Sequence, residues 1–320
     1  MPHVLVAGKI HPSGVALLEA APGLTYEIVE EVSEQSYTPL IAKADALVIR
    51  TQPMTAATIA KGERLKIVSR HGVGFDAVDS KALTDRGIPL VVVGDVNSGA
   101  VAEHSILLML AAAKLAIRAD AAVRRGKWSW RNLLEAGEIS GKNLLIVGYG
   151  RIGRRVAKLA SAFDMKIRAF DPFLAEHGWP EGNVAPVKTL REGLAWADIV
   201  SINAPKAERP IIGPEDFAVM KPSAILVNAA RGGIVDEGAL IAALQAGTIR
   251  AAGVDVFDDE PPSPDNPLLA MDNVFLSPHI GGLTLEGAER LAVHSVQNVI
   301  DFFSGRLDPS LVVNGVLLDA

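Results

Sequence analysis

At 320 residues the chain exceeds the size at which one hydrophobic core keeps growing, so two domains are expected. An apolar fraction of 49% with 21% charged residues is that of a globular protein, and a net charge of −6 with scattered Lys and Arg excludes the basic footprint of a nucleic-acid or anionic-membrane binder. The absence of cysteine excludes disulfides, thiolate catalysis and Cys-ligated zinc, so no metal site is expected and any chemistry falls to His, Arg and carboxylates.

The first ten residues read as a buried strand rather than a signal peptide. Further along, the longest apolar run, residues 106–113, is far below the ~20 residues needed to cross a bilayer. A soluble, cytoplasmic protein acting on a small molecule is expected. Apolar β-rich runs at 4–7, 26–29, 46–49, 66–69 and 89–93 alternate with helical stretches at 13–21, 56–61 and 77–86, which is the pattern of a parallel sheet. Thr55 and Asp79 stand where N-caps belong, and Gly87 where a helix C-terminus needs a left-handed residue.

Next comes an Ala/Leu-rich helical pattern over 100–124, long enough to link two lobes and broad enough to suit a homodimer interface. Residues 125–142, with Trp128 and Trp130, read as a loop. A second βα series follows, with strands at 143–147, 166–170, 198–202, 224–229, 251–256 and 274–277 and helices at 152–162, 214–220 and 236–245. A last helix over 285–303 returns the chain.

The first strand of the second series runs directly into Gly148-Tyr149-Gly150-Arg151-Ile152-Gly153. A lone G-x-G-x-x-G is weak, but here it follows a strand and opens a helix. Gly148 can then make the tight turn, Gly150 can let the backbone approach a pyrophosphate, and Gly153 can let helix pack on strand. The helix N-terminus would hold the phosphates. Asp171, at the end of the next strand, can accept both ribose hydroxyls of adenosine and would repel a 2′-phosphate, so NAD is favoured over NADP, with Arg168 nearby as a complication.

Three later strands end in polar segments, on the edge where an open parallel sheet binds ligands. These are Asn228-Ala229-Ala230-Arg231-Gly232-Gly233, Asp255-Val256-Phe257-Asp258-Asp259-Glu260-Pro261 and Ser277-Pro278-His279-Ile280-Gly281-Gly282. Arg231 offers a planar cationic fork for a carboxylate and carbonyl, His279 a proton near neutral pH, and Glu260 a partner to orient it. Singly, each has a bland reading: a surface turn for Arg231, a solvated acidic loop for Glu260, a structural histidine for His279. On one edge with the glycine turn, the catalytic reading is favoured. Of the other histidines, His104 and His294 fall within the long helices, His177 in a loop, and His3 and His11 near the N-terminus, while His71 adjoins a Gly-rich segment.

In order, the motifs G-Y-G-R-I-G, Asp171, N-A-A-R-G-G-I-V-D, G-V-D-V-F-D-D-E-P-P and S-P-H-I-G-G-L-T resemble those of the D-isomer-specific 2-hydroxyacid dehydrogenases, most closely the phosphoglycerate dehydrogenase-like branch. Arg70-His71-Gly72-Val73-Gly74 and Val101-Ala102-Glu103-His104 also look like family segments, so the resemblance spans nearly the whole chain. It implies an α/β protein of two doubly wound parallel-sheet lobes: a Rossmann NAD-binding domain over 99–283, inserted in a smaller flavodoxin-like substrate domain formed by 1–98 and 284–320. Arg231 would bind substrate and Glu260 support His279 as acid or base. Arg151, Ile152, Pro205, Ala229, Asp255 and Gly281 would join the glycines and Asp171 around NAD, with Asp255 facing the nicotinamide.

The amides of Val73 and Gly74 would take the substrate carboxylate, and Arg50 and Arg70 a second anionic group, which leans toward 3-phosphoglycerate and phosphohydroxypyruvate, with hydroxypyruvate and glyoxylate open. One departure is Ile202-Asn203-Ala204-Pro205, where many members have leucine-histidine-x-proline. The chain also stops soon after Asn314, so a C-terminal regulatory domain is not expected. The alternatives are an NAD(H)-binding, corepressor-like sensor without turnover and, among enzymes, formate or phosphite oxidation.

Overall fold

The computed structural model describes residues 1–182 and 184–318. The chain forms two compact units, Met1–Asn97 with Thr284–Ala320, and Ser98–Leu283.

The first unit is built on five parallel strands, β1 (His3–Ala7), β2 (Thr25–Val29), β3 (Ala46–Ile49), β4 (Ile67–Arg70) and β5 (Leu90–Val91). Their order, β2-β1-β3-β4-β5, is the flavodoxin-like doubly wound arrangement. The strands read as unbroken apolar runs because both faces are covered. Leu5, Leu47, Ile49 and Val68 pack on one side with Tyr37 and Ile41. Val4, Val6, Val48 and Ile67 pack on the other with Ala292, Val296 and Val299 of the returning helix Leu285–Phe303. Gly14 lets the helix Pro12–Ala20 close on that helix, since a Cβ there would stand 2.9 Å from Ala292 Cβ. The expected caps are present: Thr55 and Asp79 accept the amides of Thr58 and Ala82, and Gly87 has φ +67°.

The second unit carries seven parallel strands: β6 (Asn143–Val147), β7 (Lys166–Phe170), β8 (Ala185–Pro186), β9 (Ile199–Ile202), β10 (Ile225–Asn228), β11 (Ala251–Val254) and β12 (Val274–Leu276). The order β12-β11-β10-β9-β6-β7-β8 is the Rossmann order with one further strand, and the winding reverses between β6 and β9. Because every pairing is parallel, all strands end on one edge.

Several elements differ from the sequence expectation. The helix expected over 100–124 is two, Ser98–Lys114 and Ala116–Arg124, divided at Leu115, whose backbone is left-handed (φ 51°) while its side chain is buried. Burial of an apolar side chain there overrides the helical propensity of the surrounding Ala-rich sequence. The breadth of apolar surface on Ser98–Lys114 is also accounted for within the unit. Val101, Ala102, Leu108 and Met109 face β10 and β11 beside the helix Arg151–Ser161, and Gly253 of β11 lets Leu108 Cβ come within 2.7 Å of where its own Cβ would be. Among the described residues, three α-helices are not expected from the sequence, Glu34–Tyr37, Pro172–His177 and Leu190–Trp196, the second of which places His177 at a helix end rather than in a loop. None of the described helices is long and apolar enough to cross a membrane.

Candidate active site

The glycine turn leaves β6 at the point where the winding reverses. Gly148 has φ +90°, and a Cβ on it would stand 2.7 Å from the amide nitrogen of Ala204, so only glycine fits. A Cβ on Gly153 would run into the carbonyl oxygen of Gly148, which fixes helix against strand. Gly150 differs from both: nothing lies within 4 Å of where its Cβ would be. It is the N-cap of Arg151–Ser161 and supplies no side-chain cap. The turn thus presents an open approach to an uncapped helix N-terminus, the arrangement that receives a phosphate.

Asp171 directly follows β7 and caps Pro172–His177. Its Oδ1 accepts from the Leu174 amide at 3.1 Å and its Oδ2 from the Tyr149 amide at 2.8 Å. A carboxylate has about four acceptor positions, so each oxygen keeps one for a hydroxyl. The residues present therefore fit a dinucleotide with free ribose hydroxyls. Arg168 is committed elsewhere, its guanidinium 4.5 Å from the centre of the Trp196 ring and its Nη1 3.9 Å from Glu192. Asp171→Ala should raise KM for NADH about tenfold, the effect of losing a charge-assisted hydrogen bond, and improve the relative use of NADP. Steady-state kinetics with both cofactors checks this.

Beyond β10, the Asn228 side chain accepts from the Ala230 amide and donates to the Arg231 carbonyl, which shapes the turn carrying Arg231. Gly232 lies directly against the carbonyl of Phe257, in the loop that leads to Glu260, and admits no Cβ. The Arg231 Nη1 donates to the Ala230 carbonyl at 2.7 Å.

Glu260 and His279 are in contact. Glu260 Oε2 lies 2.7 Å from His279 Nδ1, while Oε1 accepts from the Phe257 amide at 3.1 Å. Burial pushes the Glu260 carboxyl up, but the hydrogen bond and charge of His279 and the Phe257 amide outweigh it and hold the group below its ordinary value. A carboxylate at Nδ1 requires the proton on that nitrogen, so Nε2 is the one that can take up and release a proton. His279 itself is left-handed, φ 52°, and its amide lies within hydrogen-bond distance of both the Asp255 and Ser277 carbonyls.

Asp255 supports this loop with its side chain as well. Its Oδ1 accepts from Ser277 Oγ at 2.6 Å and from the Ile280 amide at 2.9 Å, and its Oδ2 from the Gly281 amide at 2.8 Å. The side chain is 1% exposed, and burial pushes its carboxyl up, yet hydrogen bonds from His104, Ser277 and the two amides win and hold it below its ordinary value. The Oδ2 atom retains one acceptor position. Because the folded pKa lies below the unfolded one, this group's contribution to stability is present above the unfolded pKa and is lost as pH falls through the folded one. Asp255→Ala should cost on the order of 3 kcal/mol at pH 7, since it orphans two amides and a hydroxyl. Wild type should also lose more stability than the variant on acidification below pH 3.8, as urea denaturation across pH would show.

Of the remaining expected residues, Ala229 is buried in the turn after β10 and Pro205 lies in the loop after β9. In the first unit, Arg50 follows β3 and Arg70 ends β4. The Arg70 Nη1 donates to the Ile49 and His71 carbonyls, and the Arg50 Nη1 to the Lys9 carbonyl at 3.4 Å. Val73 and Gly74 follow in a partly buried turn. His71 is buried, and neither ring nitrogen meets a partner among the described residues. Burial, with Arg50 and Arg70 adding to it, pushes its pKa down to about 4, so it is neutral at pH 7 and is no second proton donor. Local sequence does not mark His104 as a neighbour of the His279 loop, yet the Nε2 of His104 lies 2.8 Å from Ser277 Oγ. Its place four residues before Leu108 on a sheet-packed helix was the available signal.

The chain is similar to known proteins in both sequence and structure. The family model for the D-isomer specific 2-hydroxyacid dehydrogenase NAD binding domain matches residues 106–281. The D-3-phosphoglycerate dehydrogenase of Methanocaldococcus jannaschii is 38% identical, over 98% of this chain and 59% of its own length. The glyoxylate reductase of Aeropyrum pernix is 36% identical, over 97% of this chain and 96% of its own. Among solved structures, D-lactate dehydrogenase from Aquifex aeolicus complexed with NAD and lactic acid aligns with a TM-score of 0.86 at 28% identity, covering 98% of this chain and 99% of that one. The chain spans about three-fifths of the length of the phosphoglycerate dehydrogenases that it matches. It belongs to the D-isomer-specific 2-hydroxyacid dehydrogenase family.

Proposed function

We propose that the protein is an NAD-dependent oxidoreductase that interconverts a 2-oxo acid and a D-2-hydroxy acid. The observation that carries this is the 2.7 Å pair between Glu260 and His279 on the strand-end edge that also bears the glycine turn and Arg231. When bound, NADH supplies a hydride to the substrate's C2. Arg231 holds the substrate carboxylate and polarises the C2 carbonyl, and the proton on His279 Nε2 passes to the carbonyl oxygen as the C–H bond forms. Glu260 keeps Nδ1 protonated throughout and stabilises the imidazolium that must be regenerated for the next turnover. The reverse reaction uses the same groups, with His279 as base.

In this reading Ser98–Leu283 is the NAD-binding domain, with Gly148, Gly150, Arg151, Ile152, Gly153, Asp171, Pro205, Ala229, Asp255 and Gly281 around the cofactor. The other unit is the substrate domain, where Val73, Gly74, Arg50 and Arg70 read the acid. The substrates proposed are 3-phosphoglycerate/phosphohydroxypyruvate and hydroxypyruvate/glyoxylate, consistent with the names of the relatives. We place the enzyme in the cytoplasm as a homodimer. The apolar side chains left exposed at Ile117, Val123, Trp128, Leu133 and Leu134 fall in one stretch after the break at Leu115 and favour a second copy there. A corepressor-like sensor gains no observation of its own.

The test is NADH consumption with glyoxylate, hydroxypyruvate, phosphohydroxypyruvate, pyruvate and bulkier 2-oxo acids. Turnover with at least one is expected. NADH binding with no turnover on any of them would replace the enzyme reading with the sensor one.

A further inference from the structure

The helix Ser98–Lys114 does more than cover the sheet. Leu108 fixes its register against Gly253, and one helical turn, about 5.4 Å, spans nearly the same distance as the two strand residues, about 6.6 Å, from Gly253 to Asp255. His104, one turn before Leu108, is thereby set beside the His279 loop. Its Nε2 lies 2.8 Å from Ser277 Oγ and 3.3 Å from Asp255 Oδ1, and its ring and Cβ flank Gly281. Side-chain exposure is 11% for His104 and 1% for Asp255, so water does not compete for these bonds.

Proton accounting gives the direction of the chain. Ser277 has one hydroxyl proton, and it is committed to the Asp255 carboxylate at 2.6 Å. Ser277 can therefore only accept from His104, so the proton of His104 lies on Nε2. The result is a one-way relay of hydrogen bonds, His104 to Ser277 to Asp255. Asp255 in turn holds the amides of Ile280 and Gly281, and its carbonyl lies 2.8 Å from the amide of His279. His279 is in the left-handed region, which a residue with a Cβ occupies only at a cost that its surroundings offset.

We propose that His104 is a positioning residue for the reaction: through Ser277 and Asp255 it holds the 277–281 loop in the conformation that keeps the His279 ring against Glu260. This rests on the assignment of His279 as the proton donor. A purely structural His104 would fill space, and any side chain of similar size would serve. A positioning His104 needs its N–H. Gln can place an N–H near the same point, whereas Phe fills the volume and donates nothing.

The experiment compares His104→Phe, His104→Gln and Ser277→Ala with wild type in the full-length protein. Amide hydrogen exchange over 277–281 is followed without cofactor or substrate, and kcat and KM for the 2-oxo acid are measured separately. In His104→Phe and Ser277→Ala, faster exchange at Ile280 and Gly281 and a kcat lowered about tenfold with little change in KM are expected, a loss of the size that slight misplacement of a reacting group produces. His104→Gln should recover most of both.

Unchanged exchange in His104→Phe, or equal kcat for the Phe and Gln variants, overturns the proposal. So does faster exchange with normal kcat. If His104→Phe does not fold, Ser277→Ala decides. An absence of turnover in wild type refutes the oxidoreductase reading instead, while the exchange data still report whether His104 holds the loop.

Discussion

Replacing His279 lowers kcat by about 10²- to 10⁴-fold, the range expected for loss of a positioned general acid, and leaves NADH binding close to wild type. The variant should be chosen with the backbone in mind. His279 sits at φ 52°, a conformation that Asn tolerates better than Ala, so His279→Asn removes the transferable proton with least disturbance to the loop. Steady-state NADH oxidation gives kcat, and a fluorescence titration gives the NADH dissociation constant. Near-normal turnover in His279→Asn would remove the mechanism. A loss of NADH affinity matching the loss of kcat would show that the loop, rather than the proton, had been removed.

The second large effect is at Arg231. In the proposed reaction its guanidinium both holds a carboxylate and polarises the carbonyl that becomes an alkoxide-like oxygen in the transition state. Arg231→Ala should therefore lower kcat/KM by about 10²- to 10³-fold, corresponding to about 2.7–4 kcal/mol, the loss typical when one preorganised donor to a developing oxyanion is removed. Arg231→Lys should recover only a small part, because an ammonium keeps the charge but lacks the planar fork. The surrounding turn is expected to survive both changes. The Asn228 side chain shapes it through main-chain atoms at Ala230 and Arg231, and Gly232 seats it on the Phe257 carbonyl. Full recovery by lysine would mean that Arg231 acts only as a point charge.

Much of this site is legible in the sequence because it depends on backbone requirements that few residue types meet. Gly148 and Gly153 are fixed by close approaches that admit no side chain, so their spacing reports the strand, turn and helix directly. Strands buried on both faces announce themselves as unbroken apolar runs, as in β1, β3, β6 and β10. Position at strand ends then brings Arg231, Glu260 and His279 to one edge without knowledge of distances. Properties set by tertiary packing were not legible. Nothing local marks Leu115 as left-handed, and its Ala-rich neighbours favour continuing the helix. Leu190–Trp196 is short, and its cap at Thr189 is a common residue in a common place. The double use of Asp171, holding the glycine turn and capping a helix, depends on Tyr149 lying 22 residues earlier in the chain. The relay from His104 joins positions 173 residues apart.

The proposed reaction is direct hydride transfer to C2 of a 2-oxo acid, giving the D isomer. It is tested most directly by running the reduction with NADH carrying deuterium at C4 of the nicotinamide, then determining both the label and the chirality of the product. A D-2-hydroxy acid with deuterium bound to C2 is expected. An L product, or a product whose C2 hydrogen comes from solvent, would contradict it.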